Sequence, residues 1–558
     1  MYSDKRNILQ LAALLKAHGI HKMVLCPGVH NAAIVQTLSN IDSFHCYAMT
    51  DVRSAGFFAI GLSMQGGGTA VVCCDAGASL ANLYPAVAEA ARQQIPLIIV
   101  SADQPTLCSG TVESYSIPQE RLFGELVKLS VTLPDVRTDE EELHCNRMIN
   151  EAILETHHHG NGPVHLNVPV AEPMYRFTAK ELPDVRTITR YQGLSLYDRD
   201  YNDLIDRLNK HNRRMVVAGQ MSLIYLYDKQ YEKPLAKQFV WLTEHLGNKT
   251  VPGTPIRNFD SAISSMSEDR LITMKPDLLI TFGGQVVSKQ LKKYFKNYPP
   301  KEHWHVSQDG KLTDPFGMQT TVIEMNPFEF FEKVVRLMDA KPTNFPLVWE
   351  NYCKTIVAPS FPYTQMAVIG KLMQSLPGNC ALHLANGSVV RYAQLFPLAP
   401  EVEVCGNQGT GGIEGCLSTA IGYATASDKL NFVVIGDLSF FVDMNALWCQ
   451  HVRPNLRVLL LNNGGAEGFH TLPGMDKGSN SLPYLTAGHQ TSARVWAEEK
   501  GFTYLTVKDG NELDEVMPLF TAPEEKDRPM LLEAFTDQET DTTELRSYYR
   551  RLKEEHKE

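Results

Sequence analysis

The sequence predicts an α/β protein made of three doubly wound parallel-sheet domains. Three observations carry that reading. Short apolar runs of five to eight residues recur along the chain. They are continuous rather than alternating, as strands buried on both faces must be. Between them lie stretches with apolar residues at three- and four-residue spacing, the mark of helices packed on a sheet. The chain has 558 residues, enough for three or four domains of ordinary size.

The elements follow in order. The opening segment, residues 1–20, reads as an amphipathic helix, because Lys16 and His18 interrupt its apolar stretch and no small-residue cleavage site follows. Strands are expected at 21–26, 44–49, 69–74, 96–102 and 163–168, with helices at 31–38, 54–64 and 78–92. Residues 182–199 are polar and turn-rich and form a linker. A second block has strands at 213–219, 277–284 and 303–307 and a closing helix at 325–339. A proline-bearing stretch, 341–362, leads to a third block with strands at 380–385, 402–406, 430–437, 456–463, 502–507 and 529–535. The charged end, 545–558, reads as a solvated helix. The expected domains are 1–182, 183–345 and 346–558.

Composition narrows the function. Hydrophobic residues make up 44% and charged residues 21%, ordinary for a globular chain. Lys plus Arg number 52 against 63 Asp plus Glu, a net charge of −11, which argues against a nucleic-acid surface. No apolar run approaches a membrane span. The 11 cysteines are scattered without a C-x-x-C pair, and Cys73-Cys74 sits in an apolar run. This fits a reduced, cytoplasmic protein rather than a disulfide or zinc scaffold. No G-x-G-x-x-G follows the first strand, which disfavours a nicotinamide-binding fold.

One local pattern carries chemistry. Gly436-Asp437-Leu438 closes one expected strand, and Asn462-Asn463-Gly464-Gly465 closes the next, with 24 residues between Asp437 and Asn462. Ligands of open α/β sheets bind beyond the carboxyl ends of strands. A carboxylate, an amide oxygen and a backbone carbonyl suit Mg²⁺ (or Mn²⁺), which keeps few protein oxygens and shares the phosphates of its ligand. Glycines let the backbone approach a diphosphate. Gly436-Asp437 alone would be an ordinary capped turn; the second cluster at the next strand end reverses that reading.

This spacing resembles the diphosphate motif of thiamine diphosphate (ThDP) enzymes, and over the whole chain the sequence resembles the MenD family, the 2-succinyl-5-enolpyruvyl-6-hydroxy-3-cyclohexene-1-carboxylate synthases. The likeness runs through LCPGVHNAAI (25–34), SLANLYPAVAEA (79–90), GPVHLNVPVAEP (162–173), HLANGSVVRYAQ (383–394), GGIEGCLSTAIGY (411–423) and GDLSFFVDMNAL (436–447). It implies a pyrimidine-binding domain, a central domain and a diphosphate-binding domain. It also implies a homodimer or homotetramer, with ThDP between the first domain of one subunit and the last of another. Asp437, Asn462 and the carbonyl of Gly464 are then metal ligands. Ile413 becomes the apolar wedge that bends the cofactor, a residue that would otherwise read as core. Gly387, Gly436, Leu438 and Gly465 lie along the cofactor. The family reaction, in menaquinone biosynthesis, decarboxylates 2-oxoglutarate and adds the remainder to isochorismate.

Several site positions depart from the family pattern. Family members open a helix with Asp-Glu-Arg, whose Glu meets N1′ of the pyrimidine; here the stretch is Thr50-Asp51-Val52-Arg53-Ser54, so Val52 replaces the acid. Valine moves no proton, and such help is commonly worth about 10²–10⁴-fold. Glyoxylate carboligase is similar in having valine there. Ser-Arg-Asn becomes Val29-His30-Asn31, Asp-Arg-Pro becomes Asp103-Gln104-Pro105, Lys-Arg becomes Lys289-Gln290, and Asn-Arg-Gly becomes Asn407-Gln408-Gly409. Ser-Gly-Thr becomes Ala76-Gly77-Ala78, and a glutamine near the cofactor becomes Tyr115. Lys289 and Arg391 remain for a 2-oxo acid's carboxylates. Neutral glutamine cannot replace the charge-assisted, bidentate bonds of arginine. The resemblance therefore implies a weakened or altered family reaction, the alternative being a non-catalytic or repurposed relative.

Overall fold

A computed structural model of the chain describes residues 1–105, 117–191, 193, 195–221, 228–248, 251–339, 341–466, 468, 480–524 and 526–556. Three parallel sheets appear, as expected, in two compact units. The first unit comprises Met1–Gln192, Gly409–Asp428 and Val442–Leu456; the second comprises Gly193–Gln408, Lys429–Phe441 and Arg457–Glu558.

The first unit holds β1 (Lys22–Leu25), β2 (His45–Ala48), β3 (Ala70–Cys74), β4 (Leu97–Asp103), β5 (Ser130–Thr132) and β6 (Pro163–Pro169), ordered β2-β1-β3-β4-β6-β5. β3 and β6 are buried throughout, as their unbroken apolar runs require. One face is covered by the helices Arg6–Ala17 and Asp139–Glu155, whose Leu11, Leu15, Ile149 and Ile153 pack with Val71, Val100 and Val164. Thr138 and Glu141 close a capping box at the start of the second helix. The expected helix 78–92 is two helices, Ala78–Ala81 and Tyr84–Gln93. Pro85 breaks it, since its ring would clash with the carbonyl of Ala81.

The helix Val52–Met64 is capped by Asp51 and buried from Ser54 to Met64. It packs on the helix Cys416–Ala426 at unusually close range. A Cβ at Gly61 would run into the carbonyl oxygen of Thr419, and one at Gly422 into that of Phe58. Gly415, with φ +75°, starts the second helix against the ring of Phe57.

The second unit carries two sheets. The first has β7 (Arg214–Ala218), β8 (Val240–Thr243), β9 (Leu278–Phe282), β10 (Glu302–Ser307) and β11 (Thr321–Glu324), ordered β11-β10-β9-β7-β8. The other has β12 (Ala381–Leu384), β13 (Glu403–Cys405), β14 (Asn431–Gly436), β15 (Leu456–Asn462), β16 (Thr503–Val507) and β17 (Met530–Phe535), ordered β13-β12-β14-β15-β17-β16. This repeats the strand order of the first unit's sheet. In both, the direction of winding reverses between the first and third strands, the switch point where such sheets bind ligands.

β5, β8 and β11, three short strands at sheet edges, are absent from the sequence reading. Two further expectations need correction. The stretch 341–362 is not all connection: it contains the helix Phe345–Lys354, whose Trp349 is fully buried and donates its indole N–H to the carbonyl of Met274 at 3.0 Å. The last helix, Gln538–Glu555, is not solvated all round. Tyr548 and Leu552 are buried, and the Tyr548 hydroxyl meets Ser261 Oγ at 3.0 Å. The spacing of Leu545, Tyr548, Tyr549 and Leu552 is that of one helix face. Among the described residues no helix is long and apolar enough to cross a membrane.

Candidate cofactor and substrate sites

In the second unit, β14 ends at Gly436 and Asp437 opens the next helix, Asp437–Val442. Asp437 is buried, and its Oδ2 accepts from the backbone N–H groups of Gly464 (2.8 Å) and Gly465 (2.9 Å). Its Oδ1 accepts from Leu438 N–H at 2.6 Å. At the end of β15, Asn462 donates its amide N–H₂ to the Thr491 carbonyl (2.8 Å) and to Glu533 Oε1 (2.7 Å). Its Oδ1 therefore faces the other way and lies 3.2 Å from Gly464 N. The two oxygens converge on one backbone nitrogen, so Asp437, Asn462 and Gly464 do come together as expected.

Burial pushes the Asp437 carboxyl above its ordinary value, opposed by the Leu438 N–H, His489, and the N–H groups of Gly465 and Gly464. One carboxylate, one amide oxygen and one carbonyl form a donor set for a hard cation. Among the described residues no group of three or more His, Cys, Asp or Glu forms a metal cluster, so a cation here must rely on this mixed set. Gly464 (φ +79°) and Gly465 (φ +146°) have backbones only glycine adopts readily, and a Cβ at Gly465 would sit 2.5 Å from the Thr486 carbonyl.

Across the switch point, after β12, Asn386 donates to the Asn407 carbonyl at 2.5 Å and accepts from Gln408 Nε2. Gly387 (φ +93°) follows and begins the helix Ser388–Ala393, with open space where a Cβ would lie. That helix carries Arg391 into a cavity of about 190 Å³ that Lys289, Gln290, Glu244, Asp260 and Tyr549 also line. The Arg391 guanidinium holds the Lys289 ammonium below its ordinary value, with burial and Lys292 acting in the same direction. Among the described residues neither cation has a carboxylate within ion-pair distance. Asp260, in the same cavity, acts on Arg391 through space, and two like charges side by side suit an anionic ligand.

The first unit shows its own arrangement at its switch point. Asp75, after β3, accepts from the N–H groups of Val29 (3.0 Å) and His30 (3.1 Å), and its Oδ1 lies 3.2 Å from His30 Nδ1. Gly28 permits this approach, because a Cβ there would collide with the Asp75 side chain. Val52 is the first residue of its helix and half-buried. Asp51 Oδ1 caps Arg53 N and Ser54 N, and Oδ2 accepts from Asn445 at 2.9 Å. Gln104 follows β4, its N–H bound to Asp103 Oδ1. Ile413, half-buried, precedes the helix Cys416–Ala426. Tyr115 lies outside the described residues.

Five functional or supporting residues escaped the sequence reading. Gln119 is buried and bridges Gly77 N, the Ala102 carbonyl and Asn167. Glu89 is buried and accepts from Gly409 N, Thr410 N and Thr410 Oγ1 at 2.6–2.8 Å, fixing the approach to Ile413. Glu533 gathers Asn462, Ser492, Ala493 and Tyr504. His489 Nε2 lies 3.4 Å from Asp437 Oδ2 while its N–H donates to the Gly464 carbonyl at 3.0 Å. Glu244 lines the cation cavity. The signal available for the acids was a lone Glu inside an apolar run, as in LLEAF for Glu533.

Residues 9–121 match the family described as thiamine pyrophosphate enzyme, N-terminal TPP binding domain, and residues 190–384 match the family described as middle domain of thiamine pyrophosphate. The chain is 65% identical over 553 residues to 2-succinyl-5-enolpyruvyl-6-hydroxy-3-cyclohexene-1-carboxylate synthase of Phocaeicola vulgatus, covering 99% of each chain. It is 59% identical to the protein of that name from Bacteroides thetaiotaomicron, over 99% of this chain and 100% of the relative. Against the one from Flavobacterium johnsoniae identity is 32%, over 97% of each.

Proposed function

The chain belongs to the 2-succinyl-5-enolpyruvyl-6-hydroxy-3-cyclohexene-1-carboxylate synthase (MenD) family of thiamine diphosphate enzymes, and from that premise we propose that it catalyses the family's carboligation in menaquinone biosynthesis. The observation that supports this best is the convergence of Asp437 Oδ2 and Asn462 Oδ1 beside Gly464, at the carboxyl ends of β14 and β15. These residues fit Mg²⁺, or Mn²⁺, and through it the diphosphate of ThDP. Gly387 and Gly436 have open space where a Cβ would lie, and with Leu438 and Gly465 they are the candidate cofactor positions; Ile413 is the candidate apolar wedge. When bound, ThDP supplies the carbon nucleophile and electron sink that 2-oxo acid decarboxylation needs.

The chain's own residues supply recognition. Lys289 and Arg391 pair a carboxylate of a 2-oxo acid, with Gln290 lining the same cavity and Gln408, bonded to Asn386, a further candidate position. By the family resemblance, His30, which Asp75 holds, Gln104 and Tyr115 are further candidate substrate-facing positions. Val52 holds no proton, so no residue at that position can assist the cofactor as a carboxyl group would. The reaction therefore runs more slowly than in a relative with the acid and arginines in place. We further propose that the protein works as a cytoplasmic homodimer or homotetramer, without nucleic-acid or membrane partners. The comparisons lend no support to the alternative of a non-catalytic or repurposed relative.

The test is direct. Purified protein with ThDP and Mg²⁺ should release CO₂ from 2-oxoglutarate and form the synthase product when isochorismate is added. Absence of both ThDP binding and product at saturating Mg²⁺ overturns the proposal.

A further inference from the structure

The cation cavity is framed by two consecutive residues that the reaction itself does not require. Glu244 and His245 follow β8, and each grips one of the two helices that bear the cations. Glu244 is buried, and its Oε2 and Oε1 accept from Val287 N (2.8 Å) and Ser288 N (2.7 Å). Those donors begin the helix Lys289–Asn297, so Glu244 holds the turn that presents Lys289. His245 N–H donates to Gln394 Oε1 at 3.0 Å, and its Nε2 lies 3.2 Å from the Ala393 carbonyl and 3.1 Å from that of Phe396. Those acceptors end the helix Ser388–Ala393, which presents Arg391. Gln394 closes the bracket by donating to the Arg257 carbonyl at 2.6 Å, while Arg257 donates back to the Glu244 carbonyl at 2.8 Å.

We propose that Glu244 and His245 are positioning residues that set the spacing of Lys289 and Arg391, and thereby select a dianionic 2-oxo acid over a monoanionic one. The inference rests on the reading of Lys289 and Arg391 as carboxylate partners.

Three further features support it. A buried carboxylate is costly, and an apolar residue of similar size would serve packing alone better. Burial pushes the Glu244 carboxyl up to about 7, against the pull of the two N–H donors and Lys292, with Asp260 adding to the rise. Asp260 braces the same turn by accepting from Ser288 Oγ, and it also accepts from Tyr549 OH at 3.3 Å. Burial of His245 lowers its pKa to about 3, so the ring is neutral and Nε2–H is the donor facing the two carbonyls. The bracket touches neither Asp437 nor Asn462, so cofactor binding is left out of it.

The experiment compares 2-oxoglutarate with 2-oxopentanoate, which has the same chain length without the distal carboxylate, in the ThDP- and Mg²⁺-loaded protein. Glu244→Gln places an amide N–H₂ against a backbone N–H, so the turn at Val287 and Ser288 must move. The expected result is a rise of about tenfold in KM for 2-oxoglutarate, with kcat changed less than about threefold and both constants for 2-oxopentanoate unchanged. His245→Phe keeps the ring volume, loses the donor and should give the same split. Lys289→Gln is the reference for complete loss of the preference. If both bracket variants affect the two substrates equally, or leave the preference intact while Lys289→Gln removes it, the positioning role is wrong and the reading of the cations stands. If the wild type shows no preference for the dianion, the carboxylate reading fails and the inference with it. Should Glu244→Gln not fold, His245→Phe decides the matter alone.

Discussion

At the scale of single residues, the chemistry turns on which polar atoms are left to meet a ligand. Asp437 has both oxygens among backbone N–H donors in a buried site, so its removal leaves Gly464 and Gly465 without their acceptor as well as the site without its charge. Asp437→Ala should weaken Mg²⁺-dependent ThDP binding by at least about 100-fold, since a charged contact contributes about 1.5–3 kcal/mol and the orphaned N–H groups add to that. Titration calorimetry with ThDP and Mg²⁺ reads the effect, and retention of binding within a few-fold removes Asp437 from the ligand set. Val52 makes the opposite case. The neighbouring Asp51 is committed to its helix cap and to Asn445. Val52→Glu should speed proton exchange at C2 of bound ThDP by about 10²-fold. Exchange that is already as fast as in an acid-bearing relative means that another group, with His30 and Asp75 the first to test, already acts there. Gln104→Arg and Gln408→Arg together with Val52→Glu should raise kcat/KM for the family substrates by more than about tenfold, equivalent to about 1.4 kcal/mol of transition-state stabilisation.

At the scale of elements, the crossing of the helices Val52–Met64 and Cys416–Ala426 is what ties Val52 and Ile413 to one framework within the first unit. Three glycines, Gly61, Gly415 and Gly422, let the backbones approach closely. A methyl group at Gly422 has no space short of the Phe58 carbonyl, and backbone cannot step aside as a flexible side chain can. Gly422→Ala should therefore cost about 1–3 kcal/mol, the usual cost of overpacking. Thermal unfolding followed by circular dichroism measures it. An unchanged melting temperature would mean that the crossing has slack. The two six-stranded sheets share one strand order, and in each the loops after the first and third strands hold candidate residues: His30 and Asp75 in one, Gly387 and Asp437 in the other.

At the scale of the molecule, buried ionisable groups set the response to pH. Burial lowers His165 and His245 to about 3 and His303 and His383 to about 4. The unfolded chain protonates these rings near 6.5 while the folded protein does not, so their contribution to stability is present above 6.5 and is lost as pH falls toward 4. Buried acids act oppositely. Glu244 and Asp443 are raised to about 7 and about 6, and burial raises Asp260 and Asp437 too, so the folded state binds their protons more tightly and gains stability as pH falls through the same window. The lowered histidines, with His305 and His451 among them, outnumber these acids, and the lowered carboxyls of Glu302 and Asp277 act in the same direction as the histidines. The melting temperature should accordingly fall between pH 6.5 and 4.5. A flat or rising profile would show that the acids outweigh the histidines.

By itself the sequence determined the fold class and the family. Continuous apolar runs report burial on both faces of a strand, and Asp437, Asn462 and Gly464 stand out because they close adjacent strands, where a local pattern registers. It also held the amphipathic spacing of Leu545, Tyr548 and Leu552, which charge at the chain's end obscured. Only the tertiary structure decided the rest. The short edge strands β5, β8 and β11 are set by the neighbour each pairs with in the sheet. The bracket of Glu244 and His245 joins helices beginning at 289 and 388, and Glu89 meets Gly409 and Thr410 across 320 residues. Such bonds depend on which buried donors a fold leaves facing a given acceptor, and that is a property of packed layers rather than of any window of sequence.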